Sequence, residues 1–87
     1  MERSRILIKP SAVKEIEGVA QKKDRQRVVA RIQSLAENPR PPGCQKLLGQ
    51  GDRYRVREGH HRIIYSIDDE AKLVHVVKVG HRKDVYR

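Results

Sequence analysis

Residues 53–79 read RYRVREGHHRIIYSIDDEAKLVHVVKV, and this run decides the fold. Tyr54 and Val56 alternate with Arg53, Arg55 and Arg57, so a strand here has one apolar or aromatic face and one face of guanidinium groups. Glu58-Gly59-His60-His61 makes a turn, Arg62 to Ile67 is a second strand, Asp68 to Lys72 turn again, and Leu73 to Val79 form a third, nearly continuous apolar run. Links this short join neighbours that run in opposite directions, so the three strands form an antiparallel meander.

Upstream, Ile6, Leu7 and Ile8 lie in a short strand from Arg5 to Lys9 that Pro10 stops. Pro10-Ser11 opens a helix for which Ser11 is the expected cap. Ala12, Val13, Ile16, Val19 and Ala20 repeat there at helical spacing, while Lys14, Glu15 and Glu17 are expected to face water. Asp24 is the expected cap of a second helix, in which Val28, Val29, Ile32, Leu35 and Ala36 form one stripe and Asn38-Pro39 the stop. A link of a few polar residues favours an antiparallel hairpin of helices laid on a sheet. Residues 39–51 carry three prolines and three glycines and read as a long loop whose Leu47-Leu48 pair plugs the edge of the core. The expected fold is α+β, in the order β-α-α-β-β-β: a mainly antiparallel four-stranded sheet with a two-helix hairpin on one face. With no repeat, low-complexity segment or linker, residues 1–87 read as a single domain.

The 87 residues carry 20 Lys and Arg against 11 Asp and Glu, a formal charge of +9, with neither Trp nor Phe. A field of that sign on so small a body attracts polyanions, so nucleic acid or an acidic protein is the expected partner. A membrane is not. No run of about 18 apolar residues exists, and neither helix has the Trp or Phe that anchors an interfacial face. Met1 to Arg5 open no apolar signal segment, and the single cysteine, Cys44, rules out an internal disulfide framework, so a soluble cytoplasmic protein is expected. His60, His61, His75 and His81 lack a carboxylate or thiolate to complete a metal set, and no metal or other cofactor is expected.

If the helices cover one face of the sheet, Val56 points at them and Arg55 and Arg57 point away. The short turn sets Arg62 beside that row, and the end of the last strand is expected to deliver His81, Arg82 and Tyr86 to the same side of the sheet; a single bulge would upset this placement. A row of like charges on neighbouring strands is unfavourable unless an anion is present. The last nine residues, Val79-Gly80-His81-Arg82-Lys83-Asp84-Val85-Tyr86-Arg87, add an imidazole, further cations and a phenol, which is an inventory for handling phosphate.

Three segments, Tyr54-Arg55-Val56-Arg57, Arg62-Ile63-Ile64-Tyr65 and Val79 to Arg87, resemble the RelE toxins of the RelE/ParE superfamily. The likeness extends to the element order and to Lys46-Leu47-Leu48-Gly49, and the C-terminal string is its most specific part. The resemblance implies a ribosome-dependent endoribonuclease that cuts messenger RNA in the ribosomal A site and is held inactive by a cognate, RelB-like antitoxin. It also implies an active site of Arg55, Arg57, Arg62, Arg82 and Tyr86. Well-studied members carry lysines where Arg55 and Arg57 stand, and another branch has a glutamate at the position of Gln45.

Cleavage of RNA without a metal needs the 2′-hydroxyl deprotonated, charge stabilised at phosphorus, and a proton given to the leaving 5′-oxygen. The arginines suit the middle task, since their high pKa makes them poor bases. His81 is assigned proton transfer, with Glu58 as the alternative base. Tyr86 would stack on a nucleobase or hydrogen-bond the phosphate. Lys46, Arg53, His61, Lys83 and Arg87 are the expected RNA-binding residues around this centre. Two other functions compete: a ParE-like poison of DNA gyrase, and a basic RNA-binding module without activity.

Overall fold

Pro10 ends one element and starts the next, because its ring lacks the donor a ladder needs but has the φ a helix begins with. The computed structural model describes residues 3–81. Strand β1 (Arg5–Ile8) alternates, Ile6 and Ile8 packing on the core while Leu7 is 55% exposed. Helix α1 (Pro10–Glu17) takes Pro10 at its first position and Lys9 as its cap residue, so Ser11 lies two positions too far in to cap it. Helix α2 (Lys22–Ser34) likewise starts before Asp24, which sits in the first turn, where its charge complements the helix dipole. Neither helix has a side-chain cap; the link between them is tied by Arg25, whose Nη1 donates to the Val19 carbonyl at 2.8 Å.

Ala12 and Ile16 of α1 and Val28 and Ile32 of α2 form the buried helical stripes. They close over one face of the sheet, where Val56, Ile63, Tyr65, Val74 and Val76 are fully buried. Each such side chain contributes about 1.5–3 kcal/mol by leaving water, which is how an aliphatic core without Phe or Trp holds this fold.

The sheet has five strands, one more than the four expected. Its order is β1, β5 (Leu73–His81), β4 (His61–Asp68), β3 (Arg53–Glu58), β2 (Gln45–Lys46), with β1 and β5 parallel and all other pairs antiparallel. The additional strand β2 lies within the expected loop: Gln45 pairs with Arg55 and Lys46 with Tyr54. Prolines 41 and 42 and the glycines that follow keep it to two residues at the sheet edge, where a broken ladder is tolerated. Leu48 does not plug the core. It is 95% exposed at the tip of the β2–β3 hairpin, beside Gly49 and Gly51 at φ 73° and 63°.

Two contacts fix the remaining geometry. Glu15, expected to face water, turns to the sheet: Oε1 accepts the Val79 N–H at 3.1 Å and Oε2 accepts Lys78 Nζ at 3.2 Å. Because β1 ends opposite Val76, the far part of β5 presents an open edge there, and the carboxylate fills it. At the other end the Tyr65 hydroxyl donates to the Pro39 carbonyl at 2.6 Å, and its ring stacks on Tyr54 at 6.0 Å. Arg40 forks onto Asp69 at 3.1 and 3.0 Å and donates to the Tyr54 hydroxyl at 3.3 Å, tying the loop to the β4–β5 turn. No helix among the described residues is long and apolar enough to cross a membrane.

Candidate nucleic-acid interface on the open sheet face

Alternation along β3 and β4 assigns the two faces of the sheet. Val56, Ile63, Tyr65 and Ile67 turn to the helices, so Arg53, Arg55, Arg57, Arg62, Ile64 and Ser66 turn away. Register then lines these residues up in rungs. Arg57 stands directly opposite Arg62, which stands opposite Gly80; two residues along, at the next rung of the same face, Gln45, Arg55, Ile64 and Lys78 are consecutive partners. Three guanidinium groups therefore share two adjacent rungs, as the sequence predicted.

Their environments differ. Arg57 is exposed, Arg55 is half-buried, and Arg62 is only 9% exposed. Arg62 Nη1 donates to the His61 carbonyl at 3.3 Å, and Arg55 Nη2 donates to Gln45 Oε1. Two guanidinium groups facing each other across a ladder favour a negative charge placed between them. Forked N–H groups match phosphate oxygens in pairs, so two adjacent rungs of arginine form a cradle for a phosphodiester. Gly80 adds no side chain of its own to the Arg57–Arg62 rung.

The imidazoles lie elsewhere. Tyr65 pairs with Val76 but Ile64 pairs with Lys78, so Val77 is an additional residue that bulges from β5. Beyond it the faces exchange: Val79 enters the core, and His81, partnered with His61, falls on the helix side rather than with the arginines. This corrects the shared side expected for His81. His60, His61 and His81 form a cluster, both ring pairs involving His81 having centroids 6.0 Å apart. The cluster borders a cleft walled by Glu15, Asp24 and the link between the helices. Glu58 partners His61, so both candidate proton carriers occupy one rung, adjacent to Arg57–Arg62–Gly80 but on the opposite face.

Of the expected RNA-binding residues, Arg53 joins the arginine face, whereas Lys46, opposite Tyr54, and His61 are on the helix side. Arg82, Lys83, Tyr86 and Arg87 lie outside the described residues. Gln45, which orients Arg55, was not among the expected site residues; the resemblance aligned it with a glutamate of another branch, but the two-residue strand that brings it to Arg55 is hidden between prolines and glycines. Among the described residues no group of three or more His, Cys, Asp or Glu side chains, the histidine cluster included, is placed to hold a metal ion.

The family model for the ParE toxin of the type II toxin–antitoxin system parDE matches residues 6–86. Toxin RelG of Mycobacterium tuberculosis (strain ATCC 25618 / H37Rv) is 44% identical over 34 residues, a match covering 39% of this chain and 39% of RelG. The archaeal RelE–RelB complex from Pyrococcus horikoshii OT3 contains a chain that superposes with a TM-score of 0.82 at 28% identity, over 95% of this chain and 99% of that one. The intact E. coli RelBE toxin–antitoxin complex gives a TM-score of 0.76 at 26% identity, over 90% and 95% of the two chains. With the family model spanning all but the first five residues and the last, and the fold shared along its whole length, the chain belongs to the ParE toxin family of type II toxin–antitoxin systems, within the RelE/ParE superfamily.

Proposed function

We propose that this toxin is a metal-independent endoribonuclease that cuts messenger RNA in the ribosomal A site and so inhibits translation. The observation that carries the reading is the Arg57–Arg62 pair on the open sheet face with Arg55 one rung away, a phosphate cradle in a member of this superfamily. In the proposed reaction the 2′-oxygen attacks the adjacent phosphorus and the bond to the 5′-oxygen breaks. The products are a 2′,3′-cyclic phosphate, or the 3′-phosphate formed from it by water, and a 5′-hydroxyl. Arg55, Arg57, Arg62 and Arg82 stabilise the charge gathering on the phosphate oxygens, His81 transfers a proton, and Tyr86 holds a base or the phosphate. Lys46, Arg53, His61, Lys83 and Arg87 bind the flanking strand. For the arginines and the imidazole to touch one phosphate, the RNA has to cross the rim of the sheet where their two rungs adjoin.

The proposed partners are the ribosome with its message and, for inhibition, a RelB-like antitoxin acting in the cytoplasm. The RelE chains of the P. horikoshii and E. coli structures are in complex with RelB, and a surface of charge +9 suits an acidic partner segment. Incubation with programmed ribosomes and an end-labelled message tests the activity: A-site cleavage with the expected end groups is the predicted outcome. The matched family model describes a ParE toxin, which favours a second reading, poisoning of DNA gyrase. Loss of supercoiling by gyrase with the message left intact would replace the first reading by the second. RNA binding with neither activity would reduce the protein to a binding module.

A further inference from the structure

We propose that the open face carries a second RNA subsite, the rung Arg53–Ser66–His75–Leu7, which receives the single strand beyond the phosphate held by Arg57 and Arg62. The inference rests on the ribonuclease reading of the same face. These four residues are consecutive cross-strand partners on β3, β4, β5 and β1, so they cross the sheet in one line. All four lie on the face away from the helices, because their neighbours Tyr54, Ile67, Val76 and Ile8 pack on the core. The bulge at Val77 falls after His75, so His75 keeps the face shared by its partners Ser66 and Leu7.

The chemistry along the rung is mixed where the Arg57–Arg62 rung is purely cationic. Arg53 supplies an exposed charge for a phosphate, Ser66 a hydroxyl, and His75 a half-buried flat ring on which a base can stack. Leu7, 55% exposed, is an aliphatic contact of the kind a ribose or a base covers. Four residues of strand separate Arg57 from Arg53, about 13 Å, which is more than one nucleotide spans. Beyond the subsite the same face continues into the rung Asp68–Leu73–Arg5, and the exposed carboxylates of Asp52, Asp68 and Glu70, with Asp69 paired to Arg40, make that end of the sheet less favourable to a polyanion than the arginine end.

The test is titration of the whole toxin with fluorescent single-stranded RNA bearing 2′-fluoro sugars, which cannot undergo 2′-hydroxyl attack, as a dinucleotide and as an octanucleotide. Arg53→Gln and His75→Gln should each weaken octanucleotide binding about tenfold and leave the dinucleotide unchanged. Arg57→Gln should weaken both lengths. Arg53 is exposed, so its variant keeps the test valid should His75→Gln fold poorly, and a thermal melt reports which case applies. If the two rung variants bind both lengths as wild type does, or lose both equally, the second subsite is overturned while the arginine cradle stands. If wild-type protein binds neither length and blocks gyrase instead, the subsite and the ribonuclease reading fall together.

Discussion

At the scale of single residues, the site depends on how far each guanidinium is withdrawn from water. Arg62 is buried and faces Arg57 across the ladder, so in the proposed ribonuclease its charge would act on a phosphate through a medium of lower dielectric than Arg57's would. Removing one such donor from a developing anion costs about a hundredfold or more in rate. Arg62→Ala should therefore lower message cleavage by that order, whereas Arg27→Ala, on an exposed helix surface, should leave it within about twofold. Tyr65 raises a separate question of pH. Burial, with Cys44 adding to it, pushes its hydroxyl above the ordinary phenol range. A raised folded-state pKa means the unfolded chain loses this proton first, near pH 10, so the stability it contributes is complete below that pH and declines above it. Tyr65→Phe should cost about 1 kcal/mol at neutral pH through the lost bond to Pro39, and its stability should fall less steeply than wild type's above pH 10 in denaturant titrations.

At the scale of elements, the sheet's alternation was written into β3 and β4 because charged and apolar residues take turns there. Arg55, Arg57 and Arg62 could thus be assigned to one face from the sequence. β5 offered no such guide. Val74, Val76, Val77 and Val79 are alike to a reader of periodicity, so nothing in the chain announces which of them bulges, and His81 is assigned to the wrong side by plain counting. The two-residue β2 was hidden for a related reason, since its pairing depends on Arg55 and Tyr54 rather than on any pattern of its own. Glu15 shows the same limit in a helix: an acidic residue at a nominally solvated position is recruited by an N–H that only the ended β1 leaves open. Glu15→Ala leaves that amide without a carboxylate partner in a half-buried setting. The expected cost is about 1–2 kcal/mol, with faster hydrogen exchange at Val79 than at Val74, whose ladder is complete. Unchanged exchange at Val79 would show that the carboxylate does not hold the end of β5.

At the scale of the whole molecule, the net charge of +9 is less informative than its division between two ends of one sheet. Arg57, Arg62, His60, His61 and His81 occupy one end, and Asp52, Asp68, Asp69 and Glu70 occupy the other, beside Arg5 and with Arg40 held by Asp69 and so partly neutralised. Such a body is oriented as well as attracted when it meets a polyanion. Encounter and binding should accordingly respond to different charges. The rate of encounter follows the summed field, so removing two cations from the exposed start of α2 or from the sheet face should slow it similarly at low salt. The equilibrium follows only cations that displace counterions from RNA, at a slope of about −0.7 per phosphate contact in single strands. Arg53→Gln with Arg57→Gln should make the plot of log affinity against log salt shallower by about 1.4, while Lys22→Gln with Arg27→Gln, both on the exposed surface of α2, should leave that slope unchanged. Equal slopes for the two double variants would mean that RNA is bound by diffuse charge, and that the arginine ladder is not the surface on which it lies.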